Sequence, residues 1–307
     1  KMKKGWLFPG QASQKVGMGK DFYEETELGK KYFDIANDTL GIDIQNIIFN
    51  GPDEKLRITK HTQPAIFIVS TIISELLIKK GFKPDGVAGH SLGEYSALVA
   101  AQGIDFKTGL ELVKIRSESM AKAGEDNPGT MAAIIGMDLE SVTKLANEIS
   151  TNQIVVAANH NTENQIVISG NIKAVQSFTD IAKEHGARMA IPLNVSGAFH
   201  SPLMQPAREE LADKLDSIQI SDINIPLFSN FSAKPTMNGS NIKQSLISQL
   251  ENPVLWFESI NNMDNSGFSI FTEIGPGKVL KGLNKKINKN LETKNIETYE
   301  EFISYEV

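Results

Sequence analysis

Cysteine is absent from this sequence of 307 residues, and that absence removes several kinds of chemistry at once. Disulfide bonds, thiolate metal sites and a cysteine nucleophile are all excluded. A chain without thiols fits a reducing cytoplasm, which is the location we expect. We predict no metal site.

Long apolar runs are missing as well. No stretch reaches the roughly 18 consecutive apolar residues of a membrane span, so we predict none. The opening KMKKGWLFPG has neither the apolar region nor the small-residue cleavage site of a signal peptide. An excess of positive charge is also lacking, because the formal net charge is −6. We therefore do not expect nucleic acid as a partner.

Apolar material is sufficient for a substantial core, since 40% of the residues are hydrophobic. Short apolar runs alternate with helical patterns, which predict strands over 6–8 and 86–88 and helices over 62–80, 94–101 and 106–123. Pro64 falls near the first position of the helix that Thr62 opens. The alternation is typical of an α/β fold with a mostly parallel sheet, and we expect an α/β-hydrolase-like large domain.

The pattern changes after the turn-rich segment 124–129. Strands are predicted over 130–136, 154–158, 165–169 and 188–193, and helices over 139–149 and 174–185. This βαββαβ order is that of a ferredoxin-like unit. We therefore divide the chain into a large α/β catalytic domain, 1–126 and 197–307, and a ferredoxin-like subdomain inserted at 127–196.

A serine stands between two glycines in the stretch VAGHSLGEYSALVA, where a predicted strand gives way to a helix. Gly89-His90-Ser91-Leu92-Gly93 matches the G-x-S-x-G pattern of a nucleophile elbow, in which the serine projects from a strained turn at a helix N-terminus. The backbone N–H of Leu92 is then the natural first donor to an oxyanion. The alternative is an ordinary glycine-rich turn, and the strand-turn-helix context favours the nucleophile.

A serine nucleophile needs a base within hydrogen-bond reach. His200 ends a loop directly before a helix that Ser201 can cap, at the point where the chain re-enters the large domain. An ordinary loop histidine is the alternative at this position. The other four histidines lie in settings less suited to a base: before a helix cap (His61), beside the serine (His90), in a polar hairpin loop (His160) and at a helix end (His185).

An acidic residue to complete a triad is not evident. An α/β-hydrolase would place a carboxylate between Ser91 and His200 in chain order. The candidates are Asp105, Asp126 and Asp180, and none follows a convincing strand of the large domain. This counts against an ordinary hydrolase.

Arg116 lies on the apolar face of its predicted helix, between Leu112 and Met120 on a wheel of about 100° per residue. Buried arginines are usually paired or functional. Its partner is either an internal carboxylate or a carboxylate that arrives with the substrate, and both remain open. Gln11, in the loop after the first strand, could complete an oxyanion hole, although loop glutamines are usually solvated.

Lysine is concentrated in a predicted helix near the end of the chain, which carries five lysines and no acid. The four that we single out are Lys278, Lys281, Lys285 and Lys286. Either this helix is simply solvated, or it docks phosphate or an acidic partner.

Together and in this order, these motifs resemble the malonyl-CoA:acyl carrier protein transacylases of fatty acid synthesis. As a set they are highly specific, and they cover nearly the whole chain. The segments are FPGQ (8–11), TQPA (62–65), GHSLGE (89–94), Arg116, GAFHS (197–201), QLENPVLW (249–256) and EIGPGKVL (273–280).

The resemblance implies a role for each candidate residue. Ser91 would be the acylated nucleophile and His200 its general base and acid, in a dyad whose imidazole is oriented by the backbone carbonyl of Gln249. Arg116 would bind the malonyl carboxylate. The oxyanion hole would lie at Gln11 and Leu92, and the pocket would include Phe199, in the variant usual for malonyl rather than branched groups, together with His90, Asn159 and His160.

The resemblance also implies the substrate and the partner. The protein would use malonyl-CoA without a tightly bound cofactor. It would pass the malonyl group by ping-pong transfer to the phosphopantetheine thiol of an acidic acyl carrier protein, for fatty acid chain elongation. The lysine helix would dock the carrier, and we expect a monomer.

Two rival functions are a serine hydrolase such as a thioesterase and a carrier-binding scaffold with a dead site. The missing acid and the inward Arg116 argue against the hydrolase. The intact Ser91, His200 and Arg116 argue against the scaffold.

Overall fold

The computed structural model describes residues 1–306, which form two β-sheets and the helices packed on them. The strands are β1 (Lys3–Phe8), β2 (Gly86–Gly89), β3 (Gly129–Ile135), β4 (Val155–Thr162), β5 (Gln165–Asn171), β6 (Met189–Pro192), β7 (Leu227–Phe228), β8 (Pro235–Thr236), β9 (Phe268–Ile274) and β10 (Glu292–Ile296). The α-helices are α1 (Lys20–Glu25), α2 (Glu27–Leu40), α3 (Ile44–Asn50), α4 (Asp53–Leu56), α5 (Thr59–Lys79), α6 (Gly93–Ala100), α7 (Phe106–Asp126), α8 (Leu139–Ile149), α9 (Ile172–Ile181), α10 (Gln205–Asp216), α11 (Gly239–Gln249), α12 (Trp256–Asn265), α13 (Val279–Ile287) and α14 (Tyr299–Ile303).

The larger sheet has the strand order β10-β9-β1-β2-β7-β8, and every neighbouring pair except β7 with β8 is parallel. β1 lies inside it and is buried on both faces. Trp6 and Phe8 point into one core cluster, and Leu7 points into another. Burial on both faces is typical of parallel strands that are covered by helices. The prediction of a mixed α/β fold with a mostly parallel sheet is confirmed.

The parallel arrangement positions the loops. Because parallel strands end at the same edge of the sheet, the loops that follow β1, β2 and β7 meet there. The loop after β2 contains the Ser91 turn, and the loop after β1 contains Gln11. The sequence motifs at these two positions are therefore brought to one edge.

The smaller sheet is antiparallel and has the strand order β4-β5-β3-β6. Its residues alternate between two cores. Ile134 and Ile166 pack with Phe178 of α9 in a cluster of their own, whereas Met131 and Val167 join the main cluster of the larger unit. The period-2 alternation of strand side chains therefore seats this sheet on the rest of the molecule.

A backbone junction ties β4 to the segment before α12. The Val254 N–H donates to the Ala158 carbonyl at 2.8 Å, and the His160 N–H donates to the Val254 carbonyl at 2.9 Å. This pairing extends β4 beyond its predicted end. His160, which we predicted to lie in a hairpin loop, belongs to β4 together with Asn159 and Asn161. Asn159 and His160 pair with β5, and Asn159 also bridges to Val254.

Some predicted helix positions were also wrong. The helix predicted from Thr62 begins at Thr59, so Pro64 lies inside it rather than at its first position. Its first turn is held by the Thr62 hydroxyl, which donates to the carbonyl of Ile58 at 3.2 Å. The helix predicted over 174–185 ends at Ile181 and is followed by a 3₁₀ turn over Lys183–His185. The helices α1–α4 carried no sequence prediction.

One helix, α5, is long and apolar enough to cross a membrane by length and composition. Within the fold, 83% of its most apolar window is buried. The core helix of a globular unit passes the same test, and α5 packs against α7 in the main core.

Candidate active site

Ser91 forms a sharp turn between β2 and α6. Its φ is +53°, a left-handed conformation that is uncommon for a residue with a side chain. The flanking glycines make the turn possible. A Cβ at Gly89 would lie 2.0 Å from the carbonyl carbon of Gly93, and a Cβ at Gly93 would lie 2.1 Å from the carbonyl oxygen of Phe8. The backbone therefore passes itself and β1 at distances that exclude any other residue type.

His200 lies against the Ser91 hydroxyl although 109 residues separate them. Its Nε2 is 2.8 Å from Ser91 Oγ, and its Nδ1 is 2.8 Å from the carbonyl oxygen of Gln249. Because a carbonyl only accepts, Nδ1 carries the proton and Nε2 is left to accept from the hydroxyl. His200 is itself held in a left-handed conformation with φ +59°, directly before the 3₁₀ turn Pro202–Met204 that Ser201 caps.

The imidazole of His200 is held in its neutral form. Burial and the nearby Arg116 guanidinium lower its pKa to about 3, since both disfavour an imidazolium. A histidine that is neutral at pH 7 keeps its Nε2 lone pair available as a base.

Arg116 is buried and its side chain ends beside the same hydroxyl. Its Nη2 donates to Ser91 Oγ at 3.0 Å and to Gln249 Oε1 at 2.9 Å, and its Nη1 donates to Gln63 Oε1 at 2.7 Å. Within residues 1–306 it forms no salt bridge, and its Nε has no hydrogen-bond partner. The internal salt bridge that the sequence left open is therefore not found in the described part of the chain.

Two backbone amides at or beside the turn have no acceptor within the described residues. A Cβ at Gly10 would lie 3.8 Å from the Leu92 nitrogen, so the loop that contains Gln11 runs directly beside the elbow. Neither the Leu92 N–H nor the Gln11 N–H donates to an acceptor in residues 1–306. Ala12, next to Gln11, has φ +86°, which marks the loop as strained. The Gln11 side chain instead reaches Thr59 Oγ1 at 3.4 Å.

These groups surround a cavity of about 450 Å³. Met120, Met131 and Leu193 supply apolar walls from both units of the chain. The predicted residues that line it are Gln11, His90, Ser91, Leu92, Arg116, Asn159, Phe199 and His200. Asn159 presents a buried Oδ1 that has no partner within the described chain.

Other predicted residues lie outside this cavity. The side chain of His160 packs on Phe257 and bonds to Glu258, so it does not face the cavity. Asp105 caps α7, which explains its position without a triad. Asp126 ends α7 and Asp180 lies in α9. The four lysines of α13 and its N-cap are exposed on the surface.

Three buried residues of the site had not been predicted. Asn230 and Glu94 hold the backbone around Ser91, and Gln63 binds Arg116. Glu94 and Gln63 belonged to the motifs GHSLGE and TQPA, which were quoted without a role for these two side chains. Asn230 follows β7, and its position at the carboxyl end of a parallel strand was the available signal.

The arrangement is suited to nucleophilic acyl transfer. A hydroxyl is bonded to a neutral imidazole, and within the described chain the Leu92 and Gln11 amides of the cavity wall have no acceptor and the buried Arg116 has no anion in contact. A hydroxyl with a base and oxyanion donors can form an acyl-enzyme, and the cation favours an acyl group that carries negative charge.

Comparison with known proteins agrees with this class. The model of the acyl transferase domain family matches residues 5–300. A malonyl CoA-acyl carrier protein transacylase of Bacillus subtilis (strain 168) is 46% identical over 289 residues, which are 94% of this chain and 91% of that protein. The corresponding protein of Escherichia coli (strain K12) is 40% identical and covers 92% of each chain.

Solved structures give the same result. The malonyl CoA-acyl carrier protein transacylase of Coxiella burnetii has a TM-score of 0.95 at 34% identity, over 99% of this chain and 96% of that one. A malonyl-transacylase in complex with a type II PKS acyl-carrier protein has a TM-score of 0.94 at 38% identity, over 98% of each chain. The chain therefore belongs to the acyl transferase domain family, among the malonyl CoA-acyl carrier protein transacylases. It is an acyltransferase.

The low pKa of His200 predicts a specific loss of stability in acid. An unfolded histidine titrates near pH 6.5, whereas the folded His200 has a pKa of about 3. Between these values the unfolded chain binds one more proton, so stability is present above pH 6.5 and is lost as the pH falls. Relative to His200→Gln, the wild-type protein should lose about 1.4 kcal/mol more of its free energy of unfolding per pH unit below about 6.

Urea unfolding at pH 7, 6, 5 and 4.5 measures this difference. His185→Gln, at an exposed helix end, is the matched control and should keep the wild-type slope. Parallel slopes for the wild type and His200→Gln would contradict the neutral buried imidazole.

Proposed function

We propose that this protein transfers the malonyl group from malonyl-CoA to the phosphopantetheine thiol of an acyl carrier protein, through a malonyl-Ser91 intermediate, and so supplies malonyl carrier for fatty acid elongation. The observation that carries the proposal is the contact of one hydroxyl, Ser91 Oγ, with both His200 and Arg116. The names of the relatives support the same donor and acceptor.

In the first half-reaction, Ser91 Oγ attacks the thioester carbonyl carbon while His200 Nε2 takes the hydroxyl proton. The carbonyl oxygen becomes an oxyanion that accepts from the free amides of Leu92 and Gln11. The carbon–sulfur bond then breaks, and the CoA sulfur leaves with the proton from His200. Removing one such donor in comparable enzymes costs about 10²–10³ in kcat.

In the second half-reaction, the carrier thiol enters the cavity that CoA has left. His200 accepts the thiol proton, the sulfur attacks the ester carbonyl, and the proton returns to Ser91 Oγ as the ester bond breaks. Donor and acceptor therefore use the same cavity in turn, which is ping-pong transfer. No tightly bound cofactor takes part.

Arg116 is proposed to bind the malonyl carboxylate. Arg116 lines the cavity without an anion in contact among residues 1–306, and this supports the role because a carboxylate would compensate the buried charge. An acetyl group would leave the guanidinium buried without an anion. Phe199, Asn159 and His90 line the cavity, and Phe199 is proposed to exclude larger branched acyl groups.

The lysine helix α13 is proposed as the docking surface for the acidic carrier. The segment that leads into α13 lies beside the loop that contains Gln11, since a Cβ at Gly277 would be 3.6 Å from Ser13 of that loop. A carrier bound along α13 would thus hold its arm near the cavity that contains Ser91. Lys278, Lys281, Lys285 and Lys286 are all exposed and available for this contact.

We propose the same two domains for the chain that the sequence predicts. The large domain, 1–126 and 197–307, would be the α/β-hydrolase-like unit, and 127–196 the ferredoxin-like subdomain. Separate sheets and the separate core around Phe178 support this division. We propose a monomer that acts in the cytoplasm.

Intact-protein mass spectrometry after mixing with malonyl-CoA tests the proposed function. We expect an added malonyl group that is lost on addition of holo carrier protein and is absent in Ser91→Ala. Rapid loss to water without a carrier would instead indicate a hydrolase, and no adduct at all would indicate a scaffold. Either of these results would refute malonyl transfer.

Substitution of Arg116 tests the specificity. Arg116→Ala should lower kcat/KM for malonyl-CoA by about 10²-fold, because a charge-assisted contact to the carboxylate is lost, and should raise transfer from acetyl-CoA relative to malonyl-CoA. Arg208→Ala, which removes a surface ion pair with Glu251, is the matched control and should leave both rates unchanged. An Arg116→Ala enzyme that kept its malonyl preference would be incompatible with the proposed role.

Charge removal on α13 tests the docking surface. Lys281→Gln with Lys285→Gln should raise KM for the carrier by about 3–10-fold at low salt and weaken its dependence on ionic strength, while KM for malonyl-CoA stays constant. Lys30→Gln with Lys31→Gln removes the same charge from exposed positions of α2 and should have no effect. Identical carrier kinetics for the two double variants would rule α13 out.

A further inference from the structure

Asn230 is a buried asparagine that bonds to the nucleophile turn from the loop after the neighbouring strand β7. It lies just beyond β7 and is fully shielded from solvent. Its Oδ1 accepts from the Ser91 N–H at 2.7 Å, and its Nδ2 donates to the Gly89 carbonyl at 2.7 Å. One side chain thus holds a backbone group on each side of the turn, across about 140 positions in the chain.

These two bonds decide which amides remain free. The Ser91 N–H is occupied by Asn230, whereas the next amide, that of Leu92, has no acceptor within residues 1–306. Ser91 is also left-handed, a conformation that persists only where surrounding contacts impose it. The pair of bonds from Asn230 is such a contact.

Glu94 holds Asn230 in turn. Its Oε1 accepts from the Asn230 backbone N–H at 2.7 Å and lies 3.2 Å from Gln249 Nε2. Glu94 is in the first turn of α6, directly after the elbow, so the loop after β7 is fastened to the helix that follows Ser91. The buried carboxylate and the asparagine are therefore one connected unit.

Gln249 connects this unit to the other groups of the site. Its side-chain Nε2 donates to the Ser91 carbonyl at 3.0 Å, and its Oε1 accepts from Arg116. The side-chain amide of Gln249 thus lies between the guanidinium of Arg116 and the carboxylate of Glu94. The two opposite charges offset each other without direct contact. The Arg116 face toward the cavity stays open as a result.

We propose that Asn230, fastened by Glu94, is a positioning residue that sets the backbone of Ser91 so that the hydroxyl meets His200 and the Leu92 amide faces the cavity unbonded. This inference rests on the proposed function in one respect, that Ser91 is the nucleophile. Neither side chain touches the substrate in this account. Both act through the backbone of the turn.

The test separates positioning from general stability. Asn230→Ala is compared with Asn262→Ala, since Asn262 Nδ2 donates to the Ala233 carbonyl at 2.7 Å and so supports the same loop without reaching the elbow. The readouts are Tm, kcat and KM for malonyl-CoA, and the rate at which a small alkyl phosphonofluoridate labels Ser91. The label requires the nucleophile and the oxyanion donors but no malonyl carboxylate.

We expect Asn230→Ala to reduce kcat and the labelling rate by about 10²-fold, the loss that follows when one oxyanion donor is misplaced. KM for malonyl-CoA should change less than 3-fold, as the cavity is unaltered. Asn262→Ala should lower Tm but label at the wild-type rate. Labelling of Asn230→Ala within 3-fold of the wild type, or an equal loss in Asn262→Ala, overturns the proposal.

Variants of Glu94 provide a second test that does not remove Asn230. Glu94→Ala should reproduce the slow labelling, and the double variant with Asn230→Ala should be no slower than the slower single variant, because both break one unit. Glu94→Gln keeps an acceptor oxygen for the Asn230 N–H and should restore labelling to within about 10-fold of the wild type. A double variant whose loss of labelling rate is the product of the two single losses would contradict the link between Glu94 and Asn230. A Glu94→Gln variant that labels as slowly as Glu94→Ala would contradict it as well.

The outcome is distinct from that of the proposed function. A protein that fails to transfer malonyl, yet loses phosphonofluoridate labelling in Asn230→Ala, would refute the function and support the positioning role. If the wild type and Asn230→Ala transfer malonyl equally well, the result would support the proposed function and refute the positioning role.

Discussion

The hydroxyl oxygen of Ser91 is the point on which three distant segments converge. It contacts His200 on one side and Arg116 on the other, at 2.8 and 3.0 Å. Each of these groups is held by Gln249, through its backbone carbonyl for His200 and through its side chain for Arg116. A glutamine at the end of α11 therefore aligns a base and a cation on one oxygen in the wall of the cavity.

Burial gives these contacts their chemical value. A low-dielectric setting disfavours a second positive charge beside Arg116, so the imidazole of His200 stays neutral and can accept a proton. The same burial raises the pKa of Glu94 to about 7, while the N–H groups of Asn230 and Gln249 favour its charged form. Within residues 1–306, Arg116 is therefore a buried cation of the cavity wall without a direct anionic contact, whereas Arg57 of the same wall pairs with Asp53.

The two sheets contribute different parts of the site. The larger sheet brings the turns after β1, β2 and β7 to one edge, where backbone amides and the nucleophile meet. The smaller sheet covers that edge, with Met131 and Asn159 in the cavity wall. The His90 ring, one residue before the nucleophile, bonds to Asn161 of β4 at 2.8 Å, so the elbow itself is linked to the smaller unit. Strain at Ser91 and His200 is maintained by contacts that cross between segments far apart in the chain.

The amino-acid sequence by itself determined the elements whose signals are local. The glycines of GHSLG predict a turn that only glycine permits, the apolar face around Arg116 predicts a buried cation, and short apolar segments between turns and helical patterns predict the strands of the smaller sheet. The sequence also located His200, because a residue between a loop and a helix cap is held in place. These predictions needed only neighbours within a few positions.

What the tertiary structure decided is the set of contacts between residues far apart in the chain. No local pattern distinguishes Asn230 from other loop asparagines, and its function depends on two backbone groups about 140 positions away. Thr59 begins α5 ahead of Pro64. His160 bonds to Glu258 rather than facing the cavity, and its backbone N–H donates to Val254. Such contacts form only when the chain packs. A hydrogen-bond partner that comes from a distant segment produces no local pattern in the sequence around its acceptor.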